Sequence, residues 1–251
     1  MKTYVLFIIF VFFFCNVSLY AQEEQQIDAS KPTNFYSYLN NSLEFLSREK
    51  KGNLIGYRAN ITYSPSERHL ILGEVPLHYN LQKGKFGFGD IRARYFYLPY
   101  KNYEKFFGAF GPSVDIIAPV GNVANGIGNG RWVIAPGLAG ALMFAEWFQV
   151  FPVLSYQYMS KPISSDTTAV SDPINGITLQ FISVFALSQK AFIVVTPTFN
   201  QHYVSGTGSF SYIQELSFGY MVGPKGQLSA YLKGDFKDNL YQVSVGYTVF
   251  F

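Results

Sequence analysis

The last twelve residues carry the clearest alternation of apolar and polar positions. From Leu240 to Phe251 the chain reads LYQVSVGYTVFF. Its odd positions are all Val, Tyr or Phe, whereas its even positions from Gln242 to Thr248 are polar or small. A period of two residues is typical of a β-strand that has one apolar and one polar face. The stretch therefore predicts a strand, and this strand ends on two aromatic residues.

Ten further runs show the same alternation and are separated by turns rich in Gly, Pro, Ser and Asn. Each run has roughly the length that a tilted β-strand needs to cross a bilayer, about ten residues or slightly more. This regular spacing predicts an antiparallel sheet made of consecutive hairpins. The runs cover residues 53–63, 69–81, 86–98, 106–118, 131–144, 147–160, 177–187, 191–203, 210–222 and 227–237.

One stretch, residues 133–154, is apolar on both faces and allows two interpretations. Its length alone suits a membrane-spanning helix. Pro136 and Pro152 disfavour a regular helix, and the residues around Glu146 suit a tight turn. We therefore interpret the stretch as a hairpin.

Eleven strands leave the count odd, whereas bacterial single-chain barrels have an even number. The weakly alternating segment 34–45, NFYSYLNNSLEF, is the candidate twelfth strand and would meet residues 240–251 at the seam. The predicted fold is an all-β, transmembrane, antiparallel up-and-down β-barrel of twelve strands. If the C-terminus is periplasmic, the long loops 119–130 and 161–175 fall outside, and the N-terminus returns to the periplasm.

The N-terminal sequence predicts export. Lys2 precedes an apolar run at residues 4–15, and Ala21 suits cleavage before Gln22, which makes residues 1–21 a signal peptide. A retained anchor helix is the alternative; a lipoprotein based on Cys15 is disfavoured by the bulky Phe14. Residues 22–32 are expected to form a polar periplasmic tail, with a plug inside the barrel as the alternative. Residues 33–251 form the single barrel.

Composition supports a membrane barrel. The chain has 25 Phe, 19 Tyr and 2 Trp but only 14% charged residues, as expected for an apolar outer surface with aromatic girdles in contact with outer-membrane lipid. Cys15 is the sole cysteine, so the mature chain has neither disulfides nor thiolate chemistry. The nearly balanced charge predicts no nucleic-acid partner.

Charged residues concentrate on the polar faces of the strands. On the lipid face, an Arg or Lys at mid-depth would cost ~2–4 kcal/mol, so we expect these side chains to line the lumen. Two functions remain open: a salt-bridged filling that holds a narrow lumen together, or a polar passage that selects a solute. The candidate lumen-lining residues are Arg58, Glu74, His78, Asp90, Arg92, Arg94, Asp115, Arg131, Glu215, Lys233 and Asp235.

Two motifs suggest other chemistry and are weaker. The GIGNG sequence at residues 126–130 neither follows a buried strand nor opens a helix, so we expect a flexible outer loop rather than a nucleotide site. His202 has serines nearby, as a lipid hydrolase would need, but its alternation directs it inward. We predict no catalytic residue, no metal site and no cofactor.

The order of glycines and prolines in the middle of the chain carries a family resemblance. Gly89–Asp90 opens a strand, a PxG motif begins at Pro119, the GxG glycines follow, and Pro136–Gly137 and Ser155–Tyr156 come later. This order resembles the outer-membrane family labelled "MetA-pathway of phenol degradation" over residues 86–158. The resemblance implies a barrel and the uptake of small, often aromatic, compounds. The terminal aromatic strand likewise resembles the signal that the barrel-assembly machinery reads.

We therefore predict a porin-like channel or transporter in a Gram-negative outer membrane. It would pass small hydrophobic or amphipathic solutes, and the pattern does not identify the solute. The alternatives are a lipid-modifying outer-membrane barrel enzyme and a closed structural or adhesion barrel.

Overall fold

The structure is a computed structural model that describes residues 35–49, 51–163 and 171–251. The predicted signal peptide (1–21) and polar tail (22–32) lie outside the described residues. The described chain consists of β-strands and turns, and none of it forms a helix long and apolar enough to cross a membrane. The strands belong to one antiparallel sheet that closes on itself. This confirms the predicted all-β barrel.

Fourteen strand segments make twelve positions in the ring, because three short consecutive segments, β4 (Lys85–Phe88), β5 (Ile91–Tyr97) and β6 (Tyr100–Lys101), together occupy one position. The ring runs β1, β2, β3, β4/β5, β7 and then in chain order to β14, which pairs with β1. The segments are β1 (Tyr38–Arg48), β2 (Leu54–Ser66), β3 (His69–Asn80), β4 (Lys85–Phe88), β5 (Ile91–Tyr97), β6 (Tyr100–Lys101), β7 (Phe107–Ala118), β8 (Val133–Ala145), β9 (Phe148–Met159), β10 (Ile174–Ala186), β11 (Ala191–Val204), β12 (Thr207–Met221), β13 (Gly226–Asp235) and β14 (Leu240–Phe250).

The twelfth strand exists and closes the ring; it overlaps the predicted segment 34–45 but begins four residues later and ends three residues later. β1 begins at Tyr38, pairs with β14 from Tyr38 opposite Phe250 to Arg48 opposite Leu240, and pairs with β2 on its other side. Its alternation is weak because Asn41 lies on the outer face, where its side chain accepts a hydrogen bond from the Tyr57 hydroxyl.

The turns alternate between two ends of the barrel, as predicted. At the terminal end, the described chain begins at Phe35 and finishes at Phe251, and the connections are β2–β3, β5–β7, β8–β9, β10–β11 and β12–β13. At the loop end are the connections β1–β2, β3–β4, β7–β8, β9–β10, β11–β12 and β13–β14. The β8–β9 hairpin confirms the interpretation of residues 133–154.

The predicted strand at residues 86–98 is interrupted. β4 pairs only with β3, whereas β5 pairs with β3 and β7. Gly89 and Asp90 separate them, because the Asp90 carboxylate accepts hydrogen bonds from the backbone N–H groups of Gly121 and Asn129 in the β7–β8 loop. An inward-directed acidic residue thus binds a loop instead of continuing the strand.

The two faces of the barrel differ in polarity. In β14 the outward side chain of Val245 is 59% exposed, whereas the inward Ser244 is 8% exposed. Outward positions around the ring are mostly apolar or aromatic, and inward positions at mid-height are mostly polar. The candidate site is therefore the interior of the barrel.

Candidate functional site: the barrel interior

A band of alternating charges crosses four neighbouring barrel strands. Arg58 on β2 donates to Glu74 on β3 at 2.8 Å. Arg92 on β5 lies 3.6 Å from the same Glu74 carboxylate and pairs with Asp115 on β7 through two nitrogens. Arg94 donates to Asp115 at 2.7 Å. Adjacent strands in register place these side chains on one inner face, so five predicted residues form one continuous network.

Glu44 on β1 extends this band and was not predicted. Its fully buried carboxylate accepts hydrogen bonds from Arg58 (3.0 Å) and Gln242 (2.6 Å), and Nε2 of His78 lies 2.6 Å away. A carboxylate without water contact requires such partners. Glu44 was missed because β1 alternates only weakly. An acidic residue within the strand predicted to close the barrel could have indicated an inward, paired carboxylate.

A second charge pair lies elsewhere on the inner wall. Lys233 on β13 is directly opposite Glu215 on β12, with 3.3 Å between the ammonium and carboxylate groups. Both residues were predicted. The central interior thus holds four cationic side chains, Arg58, Arg92, Arg94 and Lys233, and four carboxylates, Glu44, Glu74, Asp115 and Glu215.

Three predicted residues lie apart from the band, at the loop end. Asp90 binds the β7–β8 loop. Arg131 donates to the backbone oxygens of Ser160 (2.6 Å) and Asp172 (2.9 Å). Asp235 caps the β13–β14 turn by accepting from the backbone N–H groups of Lys237 and Asp238. All three organise loops and do not join the central charges.

Most of the central charges are paired yet remain accessible to solvent, whereas Glu44 is fully buried. Inside the barrel, the side chains of Arg92 and Glu74 are 31% and 27% exposed. A small cavity lies among Leu72, Glu74, Arg92 and Arg94. The side chains of this part of the band are therefore not completely enclosed.

The interior is apolar at the terminal end. One cluster contains Phe250 and Met221, with Tyr36, Tyr38 and Phe192 packed against it. Another contains Leu98, Ala109 and Ala141, with Phe35, Tyr103, Met143 and Phe151 around it. Both clusters consist of aromatic and aliphatic side chains.

The residues just before β1 contact both the barrel seam and the region beside β7. The Ser37 oxygen accepts from the backbone of Phe251 (3.1 Å), and its hydroxyl oxygen accepts from the backbone of Ser64 (3.0 Å). Two residues earlier, the Phe35 ring lies 5.6 Å from the ammonium group of Lys101, beside β7. The chain therefore passes across part of the terminal mouth. Burial in this cluster raises the pKa of the Tyr103 phenol.

The three histidines have partners other than serine. His202 Nε2 lies 2.6 Å from the Gln157 side-chain oxygen, His69 Nδ1 lies 2.7 Å from the Tyr95 hydroxyl, and His78 faces Glu44. Within the described ranges, no group of three or more His, Cys, Asp or Glu side chains is arranged to hold a metal ion.

Comparison with solved structures identifies the architecture. An outer membrane channel from Pseudomonas putida F1 matches with a TM-score of 0.62 and 14% identity, over 92% of this chain and 100% of that chain. The NanC porin matches with a TM-score of 0.65 and 8% identity, over 84% and 98%. The KdgM porin, in complex with disordered oligogalacturonate, matches with a TM-score of 0.55 and 13% identity, over 85% and 99%.

This chain has the fold of outer-membrane β-barrels. A scan against protein-family models finds no match, and a search of curated proteins finds none either. The resemblance to the phenol-degradation family is therefore not confirmed as a family assignment. At these identities, the solved structures establish the fold alone.

Proposed function

We propose that the protein is an outer-membrane channel or transporter that passes small amphipathic or hydrophobic solutes through the barrel. The observation that carries this proposal is the central charged band. Its members are ion-paired inside an outwardly apolar barrel and still reach water, and a cavity lies beside them. Outer-membrane channels among the structural neighbours agree with this function.

The interior favours amphipathic solutes in particular. The central band offers both signs of charge, whereas the terminal end offers aromatic and aliphatic side chains. A solute that carries a polar group on an apolar body finds complementary surface at both levels. We assign the predicted lumen-lining role to Arg58, Glu74, Arg92, Arg94, Asp115, Glu215 and Lys233. Glu44 and His78 are buried and instead hold one end of the band in place.

The apolar outer face suits contact with outer-membrane lipid, and we place the barrel in a bacterial outer membrane. The longer loops at the loop end support an outward-facing loop end and periplasmic termini, since such barrels have short periplasmic turns. The strand from Leu240 to Phe250 is the segment that the barrel-assembly machinery would recognise.

The two alternatives have less support. A lipid hydrolase needs a histidine bonded to a nucleophilic hydroxyl, whereas His202 contacts Gln157. A closed structural barrel draws support from the apolar terminal clusters and from the paired charges, whereas the accessible space beside Glu74 and Arg92 favours a passage.

Planar-bilayer recording of the refolded barrel tests the channel. We expect discrete conductance in the wild type. Arg92→Ala/Arg94→Ala leaves Asp115 without its two arginines and Glu74 paired with Arg58 alone, so this variant should shift the reversal potential in a salt gradient toward cation preference.

A matched control is Lys105→Ala/Lys190→Ala, which removes the same charge from exposed turns at the terminal end. It should leave the reversal potential unchanged. Absence of conductance, together with absence of solute flux into liposomes, would reject the channel function.

A further inference from the structure

The loop between β7 and β8 is fastened to two other turns through a single buried side chain. We call residues 119–130 the latch. Asn80, at the end of β3, is fully buried. Its Nδ2 donates to the backbone oxygens of Asn125 in the latch (2.9 Å) and Lys51 in the β1–β2 turn (3.1 Å). Its Oδ1 accepts from the backbone N–H groups of Gln82 and Lys83, at 3.1 Å each.

Charged side chains add to this fastening. Arg48 donates to the Gly126 oxygen at 2.6 Å, and Lys83 donates to the Ala124 oxygen at 2.6 Å. Lys51 reaches the Asn129 side chain at 3.0 Å. Partial desolvation, with a smaller contribution from Arg48, lowers the pKa of the Lys51 amine, although the residue remains exposed.

The latch itself is shaped for this closed position. Gly126 and Gly130 have φ angles of +70° and +69°, which side-chain-bearing residues rarely adopt. A Cβ on Gly128 would lie 2.5 Å from the Gly121 oxygen, so the two arms of the latch touch through glycine. Ile127 is 5% exposed. The glycines thus permit close packing in this conformation.

The latch runs over part of the loop-end mouth. It leaves the barrel at β7 and contacts the turn between β1 and β2, although β3 and the β4/β5 position lie between them in the ring. The latch therefore covers the loop end of the same strands that carry the charged band.

We propose that the latch is a releasable cover of the loop-end mouth and that Asn80 holds it closed. Under the proposed channel function, which this inference extends, release of the latch limits the size of solute that enters. Each contact is a hydrogen bond exchangeable with water, so opening needs no break in the barrel wall.

Asn80→Asp separates the latch from the turn beneath it. The carboxylate keeps the acceptor for Gln82 and Lys83 but loses the N–H groups that bind Lys51 and Asn125. The matched control is Asn200→Asp. Asn200 is also inward and buried, and it bonds only to Ser211 and Thr178 within the wall.

The rate of thiol labelling measures how well the latch shields its buried residues, and this measurement does not depend on solute passing through the barrel. Ile127→Cys, in a background with Cys15→Ser, places a shielded thiol in the latch. We expect a water-soluble maleimide to label it roughly tenfold faster or more when Asn80→Asp is added, because two hydrogen bonds are lost. The Asn200→Asp control should label at the parent rate. Equal rates in all three proteins would overturn the proposal.

Gly128→Ala provides an independent variant, because its methyl group forces the latch arms apart without touching Asn80. It should also speed labelling. If Asn80→Asp does not fold, a parent rate for Gly128→Ala would by itself overturn the cover.

Liposome swelling with uncharged sugars of increasing size then tests entry. Both latch variants should admit larger sugars than the wild type and the Asn200→Asp control. An unchanged size limit with faster labelling would overturn the entry-limiting role. Faster labelling with no swelling in any protein would support the cover and reject the channel function.

Discussion

Glu44 lies directly opposite Ser244 in the ladder that joins β1 to β14. Both side chains are inward and buried. One step along the same ladder, Leu43 lies opposite Val245, and both are outward and exposed. At the barrel seam, adjacent residues therefore face opposite environments: one pair faces the polar interior and the next faces the apolar exterior. The buried carboxylate of Glu44 lies on the inner side.

This arrangement predicts opposite results for one substitution at adjacent positions. Val245→Lys puts a charge on the outer face at mid-strand and should reduce stability by ~2–4 kcal/mol or block assembly. Ser244→Lys puts the same charge beside Glu44 and should be tolerated. Urea unfolding in lipid vesicles measures both. Equal loss of stability would show that the two faces do not differ as described.

Glu44→Gln should alter ion selectivity as well as stability. Removal of the carboxylate charge leaves Arg58 paired with Glu74 alone, so the interior gains one net positive charge. The reversal potential in a salt gradient should move toward anion preference, and stability should fall by about 3 kcal/mol because a buried ion pair is broken.

Glu49→Gln is the control for this experiment. Glu49 is exposed in the β1–β2 turn, where it accepts from Asn239. Its neutralisation removes the same charge at the loop end outside the band. If it shifts the reversal potential as far as Glu44→Gln does, the shift does not come from the central band.

Strand alternation was sufficient to predict the architecture, because a sheet with an apolar outer face repeats every two residues and closure demands an even count. The pairing of the C-terminal strand with a strand near Tyr38 followed from that count. Residues that serve tertiary contacts instead of alternation were misplaced. Asp90 binds a loop and interrupts its strand, and Asn41 meets a tyrosine on the outer face.

The candidate site was predictable as a set of inward charges but not as a network. Alternation assigns a side chain to a face, whereas its partners depend on the stagger between neighbouring strands. That stagger joins Arg58 to Glu74 and leaves Arg131 and Asp235 at the loop end. Glu44 and Asn80 were missed because their importance lies in partners 14 or more residues away in sequence.

Phe35→Ala should increase conductance. The Phe35 ring packs beside Leu98 and Tyr103 at the terminal mouth and contacts the Lys101 ammonium group. Removal of the ring opens space within the mouth and weakens the hold on the segment before β1. Single-channel recording measures the effect. Phe45→Ala, which removes an outward ring from β1, should leave conductance unchanged; an equal rise would show that the effect does not arise in the mouth.

A last pair of substitutions tests the join between β5 and β6. A Cβ on Gly111 in β7 would lie 1.8 Å from the backbone oxygen of Tyr97 and 2.7 Å from Pro99. Gly111→Ala should therefore cost about 3 kcal/mol or more, or prevent assembly, because backbone cannot move aside as a side chain can. Gly73→Ala is the control, since a Cβ there meets nothing within 4 Å. Heat-dependent mobility of the folded barrel on gels reports assembly of each. Normal assembly of Gly111→Ala would mean that β5 and β6 do not approach β7 as closely as described.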